Sequence, residues 1–194
     1  MGRTRRTFTD EECKAFVDAA NPHQWFLTAD NLHEQACQLW FTRGRGNIAL
    51  IDKDGKRTTW DSTNRAVFLL ASFAMENMLK AFLVYETPRY VADGYLKEIT
   101  THELPVLARA STLIPYRERD MWVFKALSKG NESWARYPCG RNADDVQPEQ
   151  SWSPELWIKY CDMIRAYARK MQRLLGKGWV GPYGHYGSWT TNWV

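Results

Sequence analysis

The stretch from Asn64 to Glu86, NRAVFLLASFAMENMLKAFLVYE, constrains the fold more than any other part of the chain. It is apolar on nearly every side, which is typical of a helix buried in a soluble core or spanning a membrane. Polar residues interrupt it well short of the roughly 18 apolar residues that a membrane span requires. We therefore predict a central core helix and no membrane association. The interrupting residues are Ser72, Glu76, Asn77 and Lys80.

These polar residues form a stripe along the predicted helix. The helical period places Arg65, Ser72, Glu76 and Lys80 on one side, with Asn77 about a third of a turn away. An unpaired buried charge costs several kcal/mol, so the stripe must be paired internally, reach solvent at a groove, or face another subunit. A structural ion pair between Glu76 and Lys80, four residues apart, is the simplest interpretation. A groove or interface site is the alternative.

Length and composition indicate a single domain with appendages. The 194 residues are 44% hydrophobic, which is enough to build one core. We divide the chain into a basic N-terminal arm (1–8), a helical domain (9–176) and a tail rich in glycine and aromatic residues (177–194). The formal net charge of +4 mildly favours acidic partners.

Local signals define the elements of the domain. Thr9 with Glu12 forms a capping-box pattern, and Asn21-Pro22 starts a second helix. Thr101 is the predicted N-cap of a helix over 103–113, and Ser153-Pro154 opens a final helix that ends near Gly176. The predicted class is all-α.

One segment departs from the helical pattern. β-Branched residues flank Asp54-Gly55, a dipeptide that favours a two-residue type I′ turn. We therefore predict a small β-hairpin near 47–60, as an insertion over 44–61.

The final helix carries cations at a spacing of four residues. This spacing predicts a basic stripe along its last turns that could contact nucleic acid or another anion. The alternative is a solvated face with the ordinary preference for cations at a helix C-terminus. The stripe consists of Arg165, Arg169, Arg173 and Lys177.

Cysteine and histidine spacings predict no metal site. The four cysteines form no C-x-x-C pair, and no histidine lies at a spacing that would complete a zinc site. We expect free thiols in a reducing compartment, hence a cytoplasmic protein without a cofactor. The cysteines are Cys13, Cys37, Cys139 and Cys161.

Two clusters are candidates for binding or catalysis. His102 begins a predicted helix, where free N–H groups and positive potential favour an anion. Arg136, followed by Tyr137 and a proline, could hold a phosphate or carboxylate with its planar guanidinium. The alternatives are a capping histidine and a helix that ends at proline with Tyr137 packed inward.

Three motifs in this order resemble the HEPN domain family. They are A-x-E-N-x-L-K-A-x-L from Ala74 to Leu83, T-H-E-L from Thr101 to Leu104, and A-R-Y-P from Ala135 to Pro138, followed by the amphipathic final helix. The similarity spans about residues 25–175.

The resemblance implies an antiparallel, up-and-down bundle of four to five main helices, frequently a homodimer, that handles nucleotides or RNA. Many relatives act in toxin–antitoxin pairs or phage defence, often beside a nucleotidyltransferase partner. Catalytic members are metal-independent ribonucleases with an R-x(4-6)-H motif. None of the four histidines here has an arginine at that distance before it.

We therefore expect a HEPN-like dimer that binds a nucleotide, RNA or a partner protein without the usual ribonuclease activity. One alternative is a metal-independent ribonuclease with a rearranged site built on His102 with either Arg136 or Arg141. Another is a purely structural interaction module. The predicted nucleotide or anion site comprises Glu76, Asn77, Lys80, His102, Arg136 and Tyr137, with Lys80, His102 and Arg136 contacting the anion.

The tail interleaves glycines with aromatic side chains. Such residues could stack on bases, dock on the protein's own surface, or contact a second subunit. We favour docking or subunit contact, because exposed indoles promote aggregation.

Overall fold

The computed structural model describes residues 6–44, 47–61, 63–132, 135–136 and 154–190, with the backbone alone at 47, 48, 60 and 61. Within these ranges the protein is mostly helical, with only two short antiparallel strand pairs, so the predicted all-α class is confirmed. Residues 1–5 of the predicted arm, Tyr137 of the predicted site and Arg141 of the alternative ribonuclease site lie outside the described residues. The elements are α1 (Asp10–Ala20), α2 (Pro22–Thr42), β1 (Asn47–Ile51), β2 (Arg57–Asp61), α3 (Asn64–Glu86), α4 (Leu104–Arg109), α5 (Met121–Glu132), α6 (Pro154–Gly176), β3 (Trp179–Val180) and β4 (Tyr186–Gly187).

The first two helices begin at the predicted caps. The Thr9 hydroxyl accepts the Glu12 N–H at 3.2 Å, and the Glu12 carboxylate accepts the Thr9 N–H at 2.9 Å. Asn21 Oδ1 accepts the Gln24 N–H at 3.1 Å, and Pro22 follows as the first helical residue. These bonds satisfy backbone donors that a helix start leaves without a partner.

Helix α3 is the core helix. It is long and apolar enough to cross a membrane, but 78% of its most apolar 18-residue window is buried inside the protein, as in the core helix of a soluble fold. It contacts α2, α4, α5 and α6. The buried Ser72 hydroxyl donates to the Leu127 carbonyl at 3.1 Å, which ties α3 to α5 and satisfies a polar group of the stripe.

The hairpin lies where the sequence predicts it, but its turn is different. Strands β1 and β2 pair from Asn47–Asp61 to Ile51–Arg57, which leaves residues 52–56 as a five-residue loop. The type I′ prediction is wrong, because Gly55 is left-handed (φ 78°) whereas Asp54 is not. The Asp52 carboxylate accepts the N–H groups of Asp54 and Lys56 at 3.0 and 2.9 Å, and this Asx arrangement determines the turn.

Helix α4 is shorter than predicted. It ends at Arg109 rather than near residue 113, because side chains beyond it bond the backbone in non-helical ways. Ser111 Oγ accepts the Leu113 N–H at 3.1 Å. Thr101 does not cap the helix; its hydroxyl instead accepts the Glu103 N–H at 3.1 Å, just before the helix begins.

Glu86 at the end of α3 anchors this loop and gives a testable pH dependence. Partial burial would raise its pKa, but hydrogen bonds from Ser111, Thr112 and the Leu113 N–H outweigh burial and lower the pKa. Because the folded pKa is lowered, its contribution to stability is complete above the ordinary glutamate pKa of about 4.3 and is lost as the pH falls through the folded value.

We expect Glu86→Gln to lower the free energy of unfolding by about 1 kcal/mol at pH 7, less than the roughly 1.5–3 kcal/mol typical of a hydrogen bond to a charged group, because Glu86 is only half-buried. The difference from the native protein should close towards pH 3. Urea unfolding at both pH values checks this, and a difference independent of pH would contradict the role of the carboxylate charge.

The segment after α6 folds back onto the helices. The Trp179 side chain is 3% exposed, and its indole N–H donates to the Val84 carbonyl on α3 at 3.2 Å. Trp189 stacks on His23 with ring centroids 5.2 Å apart. Through residue 190 the tail therefore docks on the protein's own surface.

Candidate functional site

A buried ion pair on α3 is the base of the candidate site. Lys80 Nζ lies 2.6 Å from Glu76 Oε1, and both residues are only 5% exposed. The two residues lie one helical turn apart on α3, and this spacing brings their charges together. The Lys80 ammonium also lies 5.6 Å from the centre of the Trp25 ring on α2, which further stabilises the cation.

His102 approaches the same carboxylate from another part of the chain. Its Nδ1 lies 3.0 Å from Glu76 Oε1 and 3.1 Å from Oε2, while its side chain is 65% exposed. Because a carboxylate only accepts hydrogen bonds, we assign the proton to Nδ1, which leaves Nε2 of the neutral imidazole as an acceptor. Glu76 thus fixes both the orientation and the tautomer of His102.

A cavity of about 340 Å³ lies beside this histidine. Its lining comes from α3, the segment before α4, the end of α5 and the residues that follow α5. Both cationic and anionic side chains contribute, so the cavity offers hydrogen-bond donors and acceptors. The lining residues are Phe73, Thr101, His102, Glu103, Asn131, Glu132 and Arg136.

Asn131 contributes an unsatisfied acceptor to the lining. The residue is 6% exposed, and its Oδ1 atom is buried without a hydrogen-bond partner among the described residues. Leaving a buried acceptor without a partner costs about 1–3 kcal/mol, and such an atom requires an explanation. Because the oxygen itself is closed to solvent, a ligand in the cavity could donate to it only after the Asn131 side chain shifts towards the cavity.

The structure brings together only some of the residues predicted from the sequence. His102 and Arg136 line one cavity, and Glu76 holds His102. Lys80 does not line it, because its ammonium is buried in the ion pair. Asn77 also lies outside the lining, and its Nδ2 donates to the Phe73 carbonyl at 2.7 Å.

Sequence reasoning identified His102 and Arg136 but missed the other five described residues of the lining, Phe73, Thr101, Glu103, Asn131 and Glu132. Asn131 and Glu132 occupy the last turn of α5, and Glu103 lies within the T-H-E-L motif without a separate signal. Their role depends on how α5 packs beside the segment before α4, where Ser128 Oγ accepts the Leu104 N–H at 2.9 Å. No local pattern indicates that contact.

The basic stripe of α6 forms a second cationic surface. All four of its side chains are exposed, as their spacing of four residues predicts. A cavity of about 790 Å³ lies against part of this face. Its lining includes Arg169, Lys170, Arg173 and Trp189.

Among the described residues, no group of three or more His, Cys, Asp and Glu side chains could hold a metal ion. No protein-family model matches the chain, and neither curated proteins nor solved structures give a significant match.

Proposed function

We propose that this chain is a HEPN-like antiparallel helical bundle that binds a nucleotide or RNA in the His102 cavity. The observation that carries the proposal is the meeting of His102 and Arg136 with the unsatisfied Asn131 oxygen in one cavity. A phosphate group suits Arg136, whose guanidinium binds oxyanions through two hydrogen bonds.

The mixed lining favours a nucleotide over a bare anion. Glu103, Glu132 and Asn131 Oδ1 are acceptors, and a simple phosphate offers them few hydrogen-bond donors. A ribose hydroxyl or a base amino group provides such donors while the phosphate lies against the cations. The exposed stripe of α6 adds a sequence-independent attraction for the phosphates of a longer RNA.

A rearranged metal-independent ribonuclease is the second candidate, and the Glu76–His102 hydrogen bond favours it. A carboxylate that orients an imidazole leaves Nε2 placed to take a proton from a ribose 2′-hydroxyl. Arg136 would then stabilise the charge that develops on the phosphate. This mechanism needs neither the R-x(4-6)-H spacing nor a metal.

Further parts of the proposal follow from the family resemblance. The protein is a cytoplasmic homodimer, with a nucleotidyltransferase-type or other protein partner in a toxin–antitoxin or phage-defence setting. Light scattering coupled to size-exclusion chromatography tests the dimer, and a mass near 23 kDa, that of one chain, would contradict it.

Binding is tested with two probes, a fluorescent adenine nucleotide and a labelled single-stranded RNA of mixed sequence. Fluorescence anisotropy gives Kd for the native protein, Arg136→Ala and Asn131→Ala. We expect each variant to weaken binding about tenfold, which corresponds to about 1.4 kcal/mol. Lys125→Ala on the exposed side of α5 is the charge-matched control and should leave Kd within twofold.

Cleavage is tested separately with cellular RNA in EDTA. Cleavage by the native protein that His102→Ala abolishes would establish the ribonuclease. Binding without cleavage would establish the binding module. If neither probe binds and RNA stays intact, the nucleotide proposal fails and a structural interaction module stands.

A further inference from the structure

A second cluster of reactive side chains lies between α2 and α6, apart from the His102 cavity. His33 and Cys37 are one turn apart on α2, and Cys37 Sγ lies 3.6 Å from His33 Nε2. Cys37 is partly exposed, and its thiol interacts with that of buried Cys161 on α6. We propose that Cys37 is a thiolate nucleophile that hydroperoxides oxidise, and that Cys161 then closes a disulfide with it.

Tyr160 determines the tautomer of His33. Its fully buried hydroxyl lies 2.9 Å from His33 Nδ1, and burial raises the pKa of this phenol well above its usual value. The hydroxyl therefore stays protonated and donates to Nδ1. The proton of the neutral imidazole then lies on Nε2, the nitrogen nearer to the sulfur of Cys37, where it can donate to a thiolate.

Positive charge and donors on two helices stabilise the Cys37 anion. The groups around it are His33 on α2, and Cys161 and Arg165 on α6. The neighbouring Cys161 thiol, followed by His33 and by the charge of Arg165, outweighs partial burial and lowers the pKa of Cys37 to about 5. The negative charge of Asp162 on α6 raises the pKa of Cys161.

The two thiols have different roles. The anion at Cys37 raises the pKa of Cys161, so Cys161 keeps its proton and serves as the donor. A low thiol pKa with partial exposure marks the residue that reacts first. The protonated and buried thiol beside it can only react second.

A hydroperoxide is the oxidant in the proposed reaction of Cys37. The Cys37 thiolate attacks one peroxide oxygen, so that an S–O bond forms as the O–O bond breaks, and the hydroxide or alkoxide released takes a proton from solvent. The sulfur is oxidised by two electrons to a sulfenic acid. Cys161 sulfur then attacks Cys37 sulfur, the S–O bond breaks, and the Cys161 proton leaves with the hydroxide as water.

The cluster around Cys37 is accessible to a small oxidant. His33 and Arg165 also line a cavity of about 380 Å³ between α2, α3 and α6. A small polar oxidant could therefore approach His33 and Arg165 from this side, whereas the sulfur itself is reached at the partly exposed side of Cys37. Cys13, which is 4% exposed, has no comparable set of neighbours in the described part of the chain and serves as the internal comparison.

The first experiment measures the rate of alkylation of Cys37 by iodoacetamide from pH 6 to pH 7.5, read by peptide mass spectrometry. A thiol with an ordinary pKa near 8.5 reacts about 30-fold faster at the upper pH, because its thiolate fraction rises by that factor. We expect less than a 1.5-fold change for Cys37. The same protein unfolded in guanidinium is the control and should regain the 30-fold rise.

The second experiment treats the folded protein with one equivalent of hydrogen peroxide. We expect a disulfide between the Cys37 and Cys161 peptides, and no change at Cys13. In Cys161→Ser, which keeps a hydroxyl donor beside Cys37, we expect a sulfenic acid that dimedone traps. An ordinary pH profile at Cys37, or oxidation that leaves the two cysteines unpaired, would overturn the proposal.

Discussion

Replacing Lys80 by methionine should lower the free energy of unfolding by about 3–5 kcal/mol, the cost of leaving one charge of a buried pair without its partner. Methionine keeps the length and packing of the lysine stem, so the missing ammonium accounts for the loss. Glu76 would keep His102, but that side chain is 65% exposed and cannot replace a buried cation 2.6 Å away. Urea unfolding at pH 7 measures the change.

Two controls separate charge from packing. The double variant Glu76→Leu with Lys80→Met removes both charges and should recover most of the lost stability, because well-packed apolar residues often replace a buried pair without cost. Lys97→Met breaks the exposed Asp93–Lys97 pair, which has the same four-residue spacing and should leave stability nearly unchanged. Equal losses in Lys80→Met and Lys97→Met would show that burial is not decisive.

Replacing Trp179 by alanine should have a similarly large effect, about 3–5 kcal/mol, because it empties a buried aromatic site. The indole packs in the main core and donates to the Val84 carbonyl. Its close fit is visible at Gly181, where an added Cβ would come within 2.5 Å of the indole ring. Urea unfolding again gives the change in free energy.

Val180→Ala is the matched control for Trp179→Ala. Val180 is the next residue and 69% exposed, so its truncation should change the free energy of unfolding by no more than about 0.5 kcal/mol. A loss below 1 kcal/mol for Trp179→Ala would contradict docking of the tail in solution. It would then favour an exposed tail that stacks on bases or on a second subunit.

The buried ion pair on α3 is connected to the His102 cavity by hydrogen bonds. Lys80 is better understood as the buried partner of Glu76 than as a direct contact to an anion. Glu76 in turn holds His102 at the edge of the cavity. A change in the ion pair should therefore shift His102 and alter the affinity of the proposed binding site.

Local interactions are the features of this protein that can be predicted from its sequence alone. The core helix has the predicted bounds, the capping box at Thr9 forms, and the α6 cations lie on one exposed face. Each depends on residues three or four positions apart, and the helical period alone relates such residues. The Glu76–Lys80 pair belongs to the same class.

Contacts between residues distant in sequence depend on how the helices pack. Glu76 and His102 are 26 residues apart, and His33 and Tyr160 are 127 apart. Helix packing buries the Asn131 oxygen without a hydrogen-bond partner among the described residues. The five-residue turn of the hairpin depends on hydrogen bonds to the Asp52 side chain. Helix packing sets these contacts through shape and burial over the whole core, and no periodicity within one segment encodes them.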